Sequence, residues 1–328
     1  MDHTRRLPPS NRPCASRDHY QEVTDRIVAA LEQGVLPWRR PWDPSRAGRS
    51  TMPHNAATRH VYRGINVLLL AMSPLAFASG DTRWCSYRQA HERGWQVRRG
   101  ERGTTIYLFK QLPAREAEDG ADADEAVRPV RLLRAHTVFH ASQIEGVPAP
   151  PPAEQAPAGW RRPEAVDVIL RNSGATIRTG GAKAFYCPAT DHIQMPPEAS
   201  FESAEAWGAV ALHELGHWSG AASRLDRDLS GTFGTARYAE EELRAELASA
   251  FMGAELGLPS DIPNHAGYLM SWLRKLREDK REIFRAAAAA QRIADYCLAF
   301  HPDYRSEARA RAEMGKTSPE QEHGQQAA

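Results

Sequence analysis

Residues 211–220 read ALHELGHWSG, and two histidines four positions apart in an apolar run constrain the local fold more than any other feature. At 3.6 residues per turn, positions i and i+4 share one helix face, so His213 and His217 can reach a single cation. Glu214 points in a neighbouring direction, where a general base taking a proton from water belongs. Trp207, Val210, Ala211, Leu215 and Trp218 surround this triad with apolar surface, which predicts a helix packed against a core. His213 and His217 are the expected metal ligands and Glu214 the catalytic residue.

A catalytic metal site needs a third protein ligand and an open coordination position. Twenty-five residues past His217 lies Glu242, in the helix-forming segment AEEELRAEL. Glu242 is the favoured third ligand, and Glu246, one turn later, could accept a hydrogen bond from a ligating histidine. Glu241 and Glu246 stay open as rival ligands, and the glutamates not used are expected on a solvated acidic face. Nitrogen and oxygen donors suit Zn2+, with Mn2+ and Co2+ left open. Upstream, GGAKAFYCP predicts a strand whose small residues allow an extended peptide to approach. His192, nearby in sequence, is read as structural.

At 328 residues the chain exceeds the length at which one core stops growing, which predicts two domains. No apolar run approaches the roughly 20 residues that cross a bilayer, so no membrane partner is expected. The N-terminus has arginines without an apolar stretch behind them, and a location in the bacterial cytoplasm is expected. Cys14, Cys85, Cys187 and Cys297 form no CxxC pair, which argues against a zinc ribbon or a disulfide scaffold. Charge is uneven: residues 1–110 hold 18 Lys+Arg against 9 Asp+Glu, a net +9, whereas the remainder is acidic. A basic first half suits a polyanion.

The expected fold class is α+β. Residues 1–17, rich in Pro, Arg and Ser, read as a disordered arm. Residues 18–146 read as the first domain, with a helix at Tyr20 to Leu31, a second helix in YRGINVLLLAM and a strand in TTIYLF. The acidic stretch at 115–128 reads as an excursion between strands, since HTVFHASQIEG again looks extended. A Pro/Ala linker occupies 147–160. Residues 161–305 read as the second domain: a helix in EAVDVILRNSG, two short strands around Asp191, the histidine helix, the acidic helix, and a long helix at about 265–299. Residues 306–328 are a polar tail.

In the first half, arginines alternate with aromatics. The pattern predicts a single-strand surface, because unstacked bases lie on aromatic faces while arginines neutralise phosphates. Trp38, Arg39, Arg40, Trp42, Tyr62, Arg63 and Asn66 are candidates, with Arg98, Arg99, Arg102 and Lys110 further on. No helix-turn-helix or zinc-finger spacing indicates base-specific readout.

Several blocks carry a resemblance: YQEVTDRIVAALEQGVLPWRRPW, QVRRGERGTTIYLFK and VFHASQIEG, then FYCPATDHIQMPP, ALHELGHWSGAASRLDRDL and YAEEELRAELASAFM. Together they resemble the plasmid-borne antirestriction proteins of the ArdC type over nearly the whole chain. The resemblance implies a single-stranded-DNA-binding N-terminal domain followed by a zincin-like metallopeptidase domain. It also implies metal at His213, His217 and a glutamate of EEELRAE, and catalysis at Glu214. One departure is His140 in VFHASQ, where the family has asparagine.

Two functions follow. One is an antirestriction protein that binds single-stranded DNA and carries a zinc-dependent peptidase site, its substrate a protein acting on incoming DNA. The other is a non-catalytic coat on single-stranded DNA, its metal purely structural. Similar N-terminal domains also occur fused to plasmid primases, but no carboxylate set for two-metal nucleotide transfer is present.

Overall fold

Apolar residues at helical spacing in both halves of the chain meet in one core. The computed structural model describes residues 17–38, 50–111, 131–149, 164–232, 234–258 and 266–305. The expected arm, the acidic excursion, the tail and nearly all of the Pro/Ala linker lie outside them, as do Arg39, Arg40 and Trp42.

In α1 (His19–Glu32) the Asp18 side chain accepts from Gln21 N at the start, and Val23, Ile27 and Leu31 form the buried stripe. That stripe docks on helices from the far end of the chain, with Thr24 Oγ1 donating to Lys280 O at 2.8 Å. After a two-residue strand β1 (His54–Asn55), α2 (Ile65–Ala71) is buried at every position. Then come α3 (Pro74–Ser79), β2 (Arg83–Cys85), α4 (Tyr87–Glu92) and β3 (Gln96–Val97). The long antiparallel pair β4 (Thr104–Gln111) and β5 (Arg131–His140) completes a sheet ordered β1-β2-β5-β4. HTVFHASQIEG is not extended throughout: β5 ends in a 3-10 turn at Ala141–Gln143 before β6 (Ile144–Glu145), which pairs with β3. The turn forms because His140 Nδ1 accepts from Ser142 N and the Gln143 side chain accepts from His140 N.

The second half begins with α5 (Glu164–Ser173). A three-stranded sheet follows, β7 (Thr176–Thr179), β8 (Phe185–Cys187) and β9 (His192–Met195), ordered β7-β9-β8, so β8 is an edge. Asp191 takes φ +45° in the turn joining β8 to β9. Three helices bury most of their length: α6 (Ala204–Trp218), α7 (Ala236–Leu256) and α9 (Glu282–Leu298). α6 lies between the three-stranded sheet on one side and α7 and α9 on the other.

The expected single helix at 265–299 is two, α8 (Ala266–Glu278) and α9. The break is at Asp279, whose side chain accepts from Arg281 N and whose carbonyl accepts from Glu282 N. This local bonding competes with the helix ladder and starts a new helix. The main core joins Val23, Ile27, Leu31, Trp38, Leu68 and Leu69 to Leu243, Leu247, Trp272 and Ile293, so the first half packs directly on the helices that carry the site.

Candidate metal centre

Ser203 caps α6 by accepting from Ala206 N, and Trp207, Ala211 and Leu215 bury its core face. Helical spacing then stacks the two histidines. His213 Nε2 and His217 Nε2 lie 3.2 Å apart, their rings 4.8 Å apart and nearly perpendicular. The third donor comes from the neighbouring helix. Glu242 of α7 places Oε2 3.7 Å from His213 Nε2 and Oε1 3.5 Å from His217 Nε2.

These three side chains form the group able to hold a metal among the described residues, with one donor atom of each within 4.8 Å of the others. The donor set fits a divalent cation. Tetrahedral bonds of about 2.0 to 2.1 Å put ligand atoms about 3.3 Å apart, close to the observed spacings.

Glu241 and Glu246 lie outside the converging group and are not solvated. All three glutamates are buried, Glu241 and Glu242 at 6% exposure and Glu246 at 1%, which corrects the expected acidic surface. The physical reason is that each faces a histidine on α6. Glu241 Oε1 is 3.3 Å from His217 Nδ1, and Glu246 Oε2 is 4.0 Å from His213 Nδ1. A carboxylate thus stands behind each ring, Glu241 within reach of a hydrogen bond from Nδ1 of His217 and Glu246 in longer charge contact with His213, on the side away from Glu242. Arg227 neutralises Glu241 through Nη2 at 2.7 Å and Nε at 3.1 Å, and also donates to Gly216 O and Ser219 Oγ.

Charge follows this geometry. Burial opposes protonation of His217, but the hydrogen bonds its ring donates to Glu241 and Glu242 outweigh it and raise its pKa to about 10. Burial also pushes Glu242 up, and His213 and His217 outweigh that and hold it well below the usual carboxylate range. Glu214 moves the other way, because burial raises it further than the two histidines lower it. α6, which carries Glu214, packs against the edge strand β8.

Tyr238 and Tyr268 were not singled out by sequence reasoning. The Tyr238 hydroxyl bonds Glu242 and Tyr268, with the two rings 5.7 Å apart, and burial raises both hydroxyl pKa values. Tyr238 precedes Glu242 by one helical turn, a spacing legible in YAEEE once α7 is phased on Glu242. Arg227 and Tyr268 carry no such signal. His192 is buried, with Nδ1 2.6 Å from Thr190 Oγ1, and is not one of the three converging side chains.

The expected nucleic-acid residues divide sharply. Trp38, Tyr62 and Asn66 are 4 to 9% exposed, a correction: their side chains serve the interior and offer no face to a base. Asn66 clamps β4, donating to Tyr107 O and accepting from Tyr107 N, both at 2.8 Å, and Tyr62 lies in a core cluster with Trp84. Trp84 is likewise fully buried, edge-on to His140. His140 spends its Nε2–H on Asp81 O, so the departure from asparagine is an internal strut. Arg63 pairs with Asp295 of α9, which takes it out of the free basic surface. Arg98, Arg99 and Arg102 are exposed on the loop between β3 and β4, Arg98 bonding Glu101 at 2.8 Å. Lys110 lies in β4 opposite Leu132.

The fold and site define a two-domain chain with a zincin-like second domain: the model for zincin-like metallopeptidases matches residues 164–289. The model for the N-terminal domain of anti-restriction factor ArdC matches residues 17–139. Crystal structures of the antirestriction ArdC protein from the R388 plasmid are similar. The metal-free structure has a TM-score of 0.73 at 39% identity, covering 88% of this chain and 99% of that one. For the Mn(II)-bound structure the TM-score is 0.70 at 38% identity, covering 87% and 98%. An uncharacterized Sinorhizobium fredii protein, y4eC, is 43% identical over 92% of this chain and 98% of its own length. A DNA primase TraC of Escherichia coli is 44% identical over 86% of this chain, which spans only 27% of that protein's length. The chain belongs to the ArdC family of antirestriction proteins.

Proposed function

We propose that the chain binds single-stranded DNA through its N-terminal domain and carries a zinc-dependent peptidase site, protecting incoming plasmid DNA from host restriction. The observation that carries the peptidase reading is the convergence of His213, His217 and Glu242, with Glu214 buried on the same helix, which packs against the edge strand β8. When bound, a divalent cation would polarise a scissile carbonyl and acidify water at neutral pH. His213, His217 and Glu242 would hold it, with Glu241 fixing the tautomer of His217 and Glu246 facing the His213 ring from behind. Glu214, its proton affinity raised by burial, takes a proton from water and delivers it to the departing amine. β8, an unpaired edge next to α6, aligns an extended peptide by backbone hydrogen bonds. The Mn(II)-bound state of the R388 relative supports a divalent ion in this chain, and zinc suits the donor set.

The DNA reading is supported by the net +9 of residues 1–110 and by exposed arginines between β3 and β4. No helix among the described residues is long and apolar enough to cross a membrane. Glu214→Gln in the full chain is the test. It is expected to keep metal content and single-strand affinity and to lose cleavage of a fluorogenic peptide library, and an unchanged cleavage rate overturns the peptidase reading.

A non-catalytic coat on single-stranded DNA is the second reading, favoured by one observation: His213, Glu214 and Glu242 are only 5 to 7% exposed, as in a closed structural site. The same variant separates the two. Full protection against restriction by Glu214→Gln, with no peptidase activity in the wild type, selects the coat.

A further inference from the structure

Glu246 stands between the two halves of the chain. Its Oε2 lies 4.0 Å from His213 Nδ1, and its Oε1 accepts a hydrogen bond from Trp38 Nε1 at 3.2 Å. That second bond joins residues 208 positions apart and is buried at both ends. An indole N–H can only donate, so Trp38 offers Glu246 one directional bond and nothing else polar. A buried carboxylate is costly to leave unbonded, and a donor on Oε1 fixes which way Oε2 points. It points at the imidazole of His213, in charge contact at a distance longer than a hydrogen bond.

The surroundings separate this role from simple core filling. Trp38 packs edge-on to Trp272, their rings 5.9 Å apart, and Trp272 continues into a stack with Tyr268. Trp272 is the same size, equally buried, and in the same aromatic group. Its N–H goes to the backbone, Ala239 O at 2.8 Å, and not to a group behind a metal ligand. The molecule thus holds two neighbouring tryptophans, one bonded to the site and one beside it.

We propose that Trp38 is a positioning residue of the metal centre: the first half of the chain supplies the hydrogen bond that orients Glu246 and, through it, the ring of His213. The inference rests on the metal-site reading above. The site is then assembled from both halves, although its ligands come only from the second.

The test is Mn(II) affinity, measured by calorimetric titration of metal-stripped full-length protein. Trp38→Phe is expected to weaken binding about 10- to 100-fold, the usual cost of losing a group that orients a ligand. Glu246→Gln should cost a similar factor, and the double variant no more than the worse single one, because both break one chain of contacts. Trp272→Phe is the comparison, expected to lower the melting temperature and leave affinity unchanged. Unchanged affinity in Trp38→Phe overturns the inference, as does an equal loss in Trp272→Phe. A wild type that binds no Mn(II), or a His213→Ala variant that binds as well as wild type, overturns the metal-site reading itself. If Trp38→Phe does not fold, 15N-tryptophan-labelled wild type decides. Zn(II) must shift a buried indole N–H resonance that Glu246→Gln also moves, and the lack of any shared resonance overturns the link.

Discussion

Glu241 Oε1 lies 3.3 Å from His217 Nδ1, so the residue next to Glu242 holds the side of the His217 ring that faces away from Glu242. Arg227 is bonded to both oxygens of the same carboxylate, with Glu241 buried and Arg227 largely so, its side chain 12% exposed. Breaking such a pair from one side leaves an unpaired buried charge, at about 3 to 5 kcal/mol. Glu241→Gln is expected to lower stability by that order in denaturant melts and to weaken metal binding about 10-fold or more. Arg227→Leu should lower stability likewise. Equal melts for wild type and both variants would show that the pair holds nothing.

Asn66 is expected to act on stability and not on DNA. Asn66→Leu strands the Tyr107 N–H and C=O in the interior, at about 1 to 3 kcal/mol each. A thermal melt should drop by several degrees, while single-strand affinity measured well below the melting temperature stays within twofold. A large affinity loss in a protein of unchanged stability would return Asn66 to the binding surface.

The loop between β3 and β4 should behave in the opposite way. Arg99→Ala and Arg102→Ala remove exposed charges, so melts should not move, and affinity for an oligothymidylate should fall. For single strands, each phosphate no longer neutralised makes the slope of log K against log salt shallower by about 0.7. A slope that stays constant across both variants places the DNA elsewhere.

Asp81 makes a pH-dependent contribution to the fold. Burial raises its pKa, but the hydrogen bonds from the Arg83 side chain and backbone N–H outweigh burial and hold it below the ordinary value. A depressed folded pKa stabilises above the unfolded value of about 4 and is lost as pH falls through the folded one. Asp81→Asn should therefore melt below wild type at pH 7, with the gap closing as pH drops below about 4. A gap that does not narrow as pH falls below about 4 contradicts the ion pair.

Local rules read much of this molecule. Helical periodicity marks α1, α6 and α7, and β-branched residues mark β4, because each pattern reports which face is buried. The histidine pair was legible for the same reason: i and i+4 spacing is geometry within one helix. What periodicity misread were features set by short-range polar competition or by distant packing. Asp279 split a helix that its apolar pattern ran through, and Trp38, Tyr62 and Asn66, polar or aromatic in a basic stretch, turned inward.

The amino-acid sequence by itself determined that His213, Glu214 and His217 share a turn of helix and that an acidic helix follows at usable range. Only the tertiary structure decided what each glutamate does. The rotation of α7 against α6 puts Glu242 between the two Nε2 atoms and Glu241 and Glu246 behind the rings, and it brings Trp38 to Glu246 across 208 residues. Spacing along a chain is a property of one helix, whereas the phase between two helices is set by the whole core they share.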